Sequence, residues 1–397
     1  MTKHNTRRSL LPAARSHHRQ PGYSRTRVAR VETLEARRLM ATDLTPIQDV
    51  TLYAGAPLNI ALDGIDTEHD AISYTVTTSN SLLATSVIQG NHSLKMSVQG
   101  YGDMIFELFE QEAPLTTARI MELAQNGTYN GLTFHRIIKD FMIQGGDPAG
   151  TGSGGTGVKF DDEFNPNLQF TSSGILAMAK SADDTNDCQF FITSKDTRWL
   201  DYNHSIFGFL TEGDSVREQI ESVAVGTDGS TPTSQVKINS VSVIVDQENG
   251  VLRLSAPAGT TGETTVTVTA RDATGATVIR SFKVTIKADT TNNFPYLGSV
   301  NTIQTNGTSP VTINIPATDV EGDAILYYAG VLNSNPNLTV SYNSSTGATT
   351  ITPNGTPGIY GIQLGVRAQT PGYTVSDYWD TQTVPVYVNP VKPTLTL

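Results

Sequence analysis

At 397 residues the chain is long enough for two or three domains, each with its own core. Its net charge of −11 is unevenly spread: residues 1–42 hold ten Lys/Arg against two acids, leaving 17 basic and 36 acidic residues, about −19, for the rest. The acidic body argues against a nucleic-acid partner, the lone Cys188 excludes an internal disulfide, and no apolar run approaches the roughly 18–20 residues of a transmembrane span.

Residues 1–43 read as a basic targeting or disordered segment, rich in Arg, Ser, His and Pro. Leu10-Leu11-Pro12-Ala13-Ala14 is too short for a secretory apolar core. The stretch Val31-Glu32-Thr33-Leu34-Glu35-Ala36-Arg37-Arg38-Leu39-Met40-Ala41 resembles the L-E-x-R-x-L-(L/M) segment ahead of many bacterial surface proteins. That resemblance implies export, to the cell surface or beyond; an ordinary amphipathic turn of helix, and a cytoplasmic location, stay open.

An internal repeat follows. Asp66-Thr67-Glu68-His69-Asp70-Ala71-Ile72-Ser73-Tyr74 matches Asp319-Val320-Glu321-Gly322-Asp323-Ala324-Ile325-Leu326-Tyr327 without a gap. Upstream, Leu58–Leu62 pairs with Val311–Ile315, both alternating as strands do. The first copy stops near Asn91, and its missing half resumes after a long insertion: Gly250–Ser255 reads like 347–353, Thr264–Ala270 like Ile362–Ala368, and Phe282–Ile286 like the last strand, Val384–Val388. The expected organisation is therefore a first β-sandwich over 44–92 plus 248–289, interrupted by a domain at 93–247, and a second sandwich at 290–397.

Both copies resemble the Ig-like or cadherin-like sandwiches of bacterial surface proteins. Asp66, Glu68 and Asp70, with Asp319, Glu321 and Asp323, invite a weak calcium site, since alternating carboxylates can converge on a hard cation. Solvated turn acids are the competing reading, and three carboxylates per copy make no complete ligand set.

Within the insertion, Met104–Phe109 alternates as a strand. Pro114–Asn126 reads as a helix that starts on proline and stops at Gly127. A second helix is expected from Ser215, where Ser215 and Glu218 have capping-box spacing and Val216, Ile220 and Val223 share a face. The Gly150–Gly157 run lacks the Gly-Lys-Ser/Thr of a phosphate cradle and reads as a surface loop. Asp161-Asp162-Glu163 and Asp183-Asp184 have no His or Cys company, so no metal is assigned there.

The informative blocks are Phe134-His135-Arg136, Phe141-Met142-Ile143-Gln144-Gly145-Gly146-Asp147-Pro148, Gln189-Phe190-Phe191-Ile192-Thr193, Trp199-Leu200-Asp201 and His204-Ser205-Ile206-Phe207-Gly208. They supply one fixed cation, large apolar side chains and a few neutral hydrogen-bonding groups. No Ser or Cys nucleophile has a partnered base, and no metal ligands stand at a familiar spacing. Such an inventory suits a reaction that makes and breaks no substrate bond: rotation about a peptide bond.

From about Ser93 to Asp246 these blocks resemble, in order and spacing, the cyclophilins, the cyclosporin-binding peptidyl-prolyl isomerases. The resemblance implies a closed eight-stranded antiparallel barrel with two helices, so the whole chain is expected to be mainly β and multidomain. It also implies a proline pocket of Phe141, Met142, Phe191 and Leu200, edged by His204. Gln144 would hold the substrate and Arg136; Ala179 and Gln189 would border the groove for the residues before proline. Trp199 would contact cyclosporin-like inhibitors. Arg136, Gln144, Phe141 and His204 are thus the catalytic candidates, and Met142, Ala179, Lys180, Gln189, Phe191, Trp199 and Leu200 the substrate-binding ones. No cofactor or metal is implied, and His135 is taken as structural.

Amide resonance opposes the rotation with about 18–20 kcal/mol. Halfway through the twist the prolyl nitrogen regains a lone pair, so a donor aimed at it favours the transition state over both planar states. Arg136, planar and permanently charged, is the candidate for that donor. Two departures stand out: Lys180 replaces the usual Asn on the groove, and Ser181-Ala182-Asp183-Asp184 replaces a Gly- and Pro-containing loop, so an altered peptide preference is expected. The leading function is prolyl isomerisation that assists folding of exported or surface proteins, with proline-containing polypeptides as partners. The alternative is a proline-peptide-binding or adhesion module with little catalysis.

Overall fold

The computed structural model describes residues 42–369 and 380–390; the basic head, with its Val31–Ala41 stretch, lies outside them. The described residues are mainly strand. No helix among them is long and apolar enough to cross a membrane.

Residues 92–245 build one strongly curved sheet. Its order is Arg136–Ile138, Met142–Gly145, Phe190–Thr193, Ile175–Met178, Ile206–Glu212, Gly102–Leu108, His92–Val98, Val236–Val245 and Thr133–Phe134. The first and last of these segments are separated by His135 alone, so the sheet comes round on itself as a nearly closed antiparallel barrel. Period-two alternation fills the interior: Leu94, Met96 and Val98 point in from one strand, and Ile137, Ile143, Ile192 and Leu176 form a row across four others.

Helix α1, Pro114–Gln125, covers the barrel with Thr116, Thr117, Ile120, Leu123 and Ala124. Its own sequence supplies no cap; the Glu163 carboxylate accepts the first-turn amides of Leu115 (3.2 Å) and Thr116 (2.9 Å) instead. Helix α2, Asp214–Glu221, corrects the expected start. It begins one residue before Ser215, and no capping box forms. The cap is Gly213 at φ +90°, where a β-carbon would meet the Asp103 carbonyl at 2.3 Å. Val216 and Ile220 are buried, with Val223 packed against the same core.

The barrel leaves and rejoins the chain between neighbouring strands: Val245 lies opposite His92. Flanking it is a unit of two sheets, Leu58–Leu62, Gly250–Ser255 and Ala84–Ile88 in one, and Val50–Ala54, Thr277–Ala288, Gly262–Arg271 and Ser73–Thr78 in the other. Strands from before and after the barrel share both sheets, and they enclose one core that includes Leu52, Leu62, Leu252, Leu254, Val266 and Val268.

A second unit repeats this order strand for strand. One sheet holds Val311–Asn314, Ala348–Pro353 and Leu338–Tyr342; the other holds Ile303–Asn306, Asp380–Asn389, Gly358–Ala368 and Ile325–Val331. Its core gathers Ile351, Ile362, Leu364, Val384 and Val386. In both units the first strand of the larger sheet runs parallel to the last.

The two acidic triplets act as turn fasteners. Asp66 accepts the Glu68 amide, His69 pairs with Glu248, and Asp319 accepts the amides of Glu321 and Asp323. Glu321 is taken up by Asn293. Among the described residues neither triplet converges on a common point; the carboxylates within 4.8 Å of one another are Asp162, Asp183, Asp184 and Asp380.

Candidate active site

Strand register assembles the site. Arg136 lies opposite Gln144, Gln144 opposite Phe191, and Phe191 opposite Ala177. Opposed residues share a face, and their neighbours Ile137, Ile143, Ile192 and Leu176 take the interior, so this row projects from the outer wall. Met142, two residues from Gln144, joins the same face. A cavity of about 270 Å³ forms there, lined by Arg136, Phe141, Met142, Gln144, Ala179, Lys180, Phe191, Leu200 and His204.

Arg136 Nη1 donates to Gln144 Oε1 at 3.2 Å and lies 4.0 Å from Met142 Sδ. Among the described residues no carboxylate pairs with this guanidinium. Gln144 Nε2 in turn donates to Gln189 Oε1 (3.0 Å), and Gln189 Nε2 to the carbonyls of Gly152 (3.2 Å) and Gly154 (2.8 Å). The amide chain fixes which face of Gln144 meets Arg136. Gln189 therefore lies one step from the apolar cavity, on an adjoining one of about 510 Å³ with Gly154, Ala179, Lys180 and Ser181.

His204 faces a carbonyl: its Nδ1 is 2.9 Å from Met178 O, which can only accept, so Nδ1 carries the proton and Nε2 is the acceptor. Burial lowers its pKa, which keeps the ring neutral. The ring meets Phe191 edge-on at 5.5 Å, and Phe191 stacks on Phe170 at 5.8 Å. Trp199 stands outside the cavity, 59% exposed, with its indole 5.7 Å from the Phe141 ring.

Lys180 lines the cavity through its stem only. Its ammonium is buried against Asp162, with Asp183 at 4.0 Å. His135 has no role at the cavity; burial lowers its pKa, and its ring packs near Gly152. Cys188 is buried with its thiol on the Gly146 carbonyl, and burial pushes its pKa up to about 12, so it is inert.

Two acids inside the informative blocks, given no role from the sequence, support the site. Asp147 is buried and accepts the amides of Ala149, Thr151, Gly152 and Gly154, which winds the glycine-rich loop around one carboxylate. Those bonds hold its pKa below the usual carboxylate value against the opposing effect of burial. Asp201 accepts the Phe170 amide and pairs with Arg198, tying the 198–204 turn to the ring behind Phe191. A separate cleft of about 370 Å³, lined by Ile47, Leu58, Phe209 and Glu212 among others, lies where the first two-sheet unit meets the barrel and shares no residue with this site.

The family described as "Cyclophilin type peptidyl-prolyl cis-trans isomerase/CLD" matches residues 93–243. The peptidyl-prolyl cis-trans isomerase-like 1 of Bos taurus is 49% identical over 140 residues, covering 34% of this chain and 84% of that one. The isomerase ppi1 of Schizosaccharomyces pombe is 50% identical over 118 residues, 29% of this chain and 76% of its own. A Cryptosporidium parvum cyclophilin type isomerase, crystallised in the presence of the dipeptide Ala-Pro, aligns with 35% identity over 38% of this chain and 98% of that one, at a TM-score of 0.37.

Proposed function

The chain belongs to the cyclophilin-type peptidyl-prolyl cis-trans isomerase family and is an isomerase of X–Pro bonds; on that premise we propose that Arg136 drives the rotation from the rim of an apolar proline pocket. One observation carries the reading: a guanidinium with a neutral hydrogen-bond partner and, among the described residues, no acid, beside a cavity walled by Phe141, Met142, Phe191 and Leu200. A planar amide has a large dipole that water stabilises, and the twisted amide has less. An apolar hollow therefore disfavours the ground states, while Arg136 donates to the pyramidal nitrogen. Gln144 orients Arg136, and neutral His204 closes the pocket's edge. Ala179 and Gln189 border the path of the residues before proline. Trp199 offers an exposed indole to cyclosporin-like inhibitors.

The two repeated units, taken as Ig-like or cadherin-like sandwiches bounded at 44–92 with 248–289 and at 290–397, suit attachment or spacing at an exported surface. The test is direct. NMR exchange on a proline tetrapeptide should show cis–trans interconversion accelerated by catalytic amounts of the full chain, with micromolar cyclosporin abolishing it. Peptide binding without acceleration would reduce the barrel to a binding module.

A further inference from the structure

The second two-sheet unit grips the isomerase on both loops beside the proline cavity. The first grip is on the Arg198–Asn203 turn, which carries Trp199 and Leu200 and leads into His204. Arg198 donates to Asp289 (3.0 Å), in the segment joining the two units, while its other contacts are Asp201 and Gln169. Tyr202 is buried and stacks on Tyr296, the first strand residue of the second unit, with ring centroids 4.7 Å apart and planes at 19°. Phe164 meets both rings edge-on, at 6.4 and 6.0 Å.

The second grip is on the loop after Ala179 and Lys180. The Asp183 carboxylate accepts Thr381 N (3.1 Å) and Oγ1 (2.6 Å), and Asp184 accepts the same hydroxyl at 3.2 Å. Both loops hold a non-glycine residue in the left-handed region, Tyr202 and Asp184 each at φ +52°. That backbone is disfavoured for a β-carbon residue and persists where surrounding contacts hold it. At Tyr202 those contacts include Tyr296.

We propose that Tyr296, outside the isomerase segment, is a positioning residue for the proline pocket: through Tyr202 it fixes the turn that places Leu200 and His204. Asp289 assists through Arg198. The second unit is on this view a working part of the enzyme as well as a spacer. Arg136 and Gln144 sit on barrel strands that neither grip touches, so the donor itself is unaffected. Loosening the turn removes packing against the proline ring, which is the same in planar and twisted states, while the low-polarity surroundings and the donor at the amide stay in place, so the loss appears in KM with little change in kcat.

The proposal rests on the pocket assignment above, and the experiment separates the two. In the full-length chain, Tyr296→Ala should raise KM for a proline peptide about three- to tenfold with kcat within about twofold of wild type. Tyr296→Phe, which keeps the stack, should restore it. The Trp199 indole resonance, identified by its loss in Trp199→Phe, should shift in Tyr296→Ala and not in Tyr342→Ala, on an exposed face of the same unit. Asp289→Asn should move KM in the same direction and guards against a Tyr296→Ala chain that fails to fold. Wild-type KM and an unmoved indole signal in Tyr296→Ala and Asp289→Asn would overturn the proposal. If Arg136→Ala is inactive in the same assay, that failure leaves the pocket assignment standing.

Discussion

Replacing Arg136 by alanine removes one charge-assisted donor and little else. The guanidinium donates to Gln144 at 3.2 Å and weakly to the Met142 sulfur at 4.0 Å, and no acid pairs with it among the described residues, so its loss strands no buried charge. Gln144 also keeps its bond to Gln189. Global stability should therefore change by no more than about 1 kcal/mol. A hydrogen bond to a charged group contributes about 1.5–3 kcal/mol, and at about 1.4 kcal/mol per decade kcat/KM should fall roughly 10- to 150-fold. Arg136→Lys should recover only part of this, since an ammonium lacks the planar fork. The assay is protease-coupled cleavage of a proline peptide in the cold, where the uncatalysed step takes minutes. An Arg136→Ala protein that melts like wild type and loses less than about threefold in kcat/KM would refute the donor mechanism.

Burial of the Asp183 and Asp184 carboxylates should cost less on acidification, although the hydrogen bonds from Thr381 favour their charged forms. Burial first, then the charges of Asp184 and Asp162, raises Asp183 to about 7, and burial raises Asp184 to about 6, with Asp161, Asp162, Lys180 and Asp380 facing them. Folded values above the unfolded ones mean a contribution fully present below about pH 4 and lost as pH rises through about 6 to 7. The stability of wild type relative to Asp183→Asn, from urea unfolding, should fall between pH 5.5 and pH 8; a constant difference would count against this. Leu252→Ala empties a fully buried position between Ile60 and Val87 and should cost about 2–5 kcal/mol in urea unfolding, a loss below about 1 kcal/mol being the contrary result. Glu163→Ala removes the cap of α1 and should cost about 1–2 kcal/mol, whereas Glu163→Gln should retain part of it.

The barrel's chemistry was legible because blocks far apart in sequence had to agree in order, and the strand register then brings nine of the eleven named site residues to one cavity. What was not legible depends on long-range burial. Lys180 is placed on the groove by its position among the blocks, but nothing local shows that Asp162, eighteen residues earlier, takes its ammonium inward. The capping-box spacing of Ser215 and Glu218 is a local signal, overridden because Gly213 packs against the Asp103 carbonyl and begins the helix earlier. The stack of Tyr202 on Tyr296 spans 94 positions and has no periodicity to announce it. Pattern reading finds faces; it does not find which distant ring covers one.

The parallel pairing of Val50–Ala54 with Thr277–Ala288 has a mechanical consequence. Tension applied to the chain on either side of the first unit draws these two strands past one another lengthwise, loading their hydrogen bonds together and not one at a time. The isomerase hangs from two adjacent strands inside that clamp, Val245 beside His92, off the line of force. Stretched from either side of this unit, the chain would spare the barrel strands while the clamp bears the strain, and would load the pocket loops only through Asp289 and Tyr296.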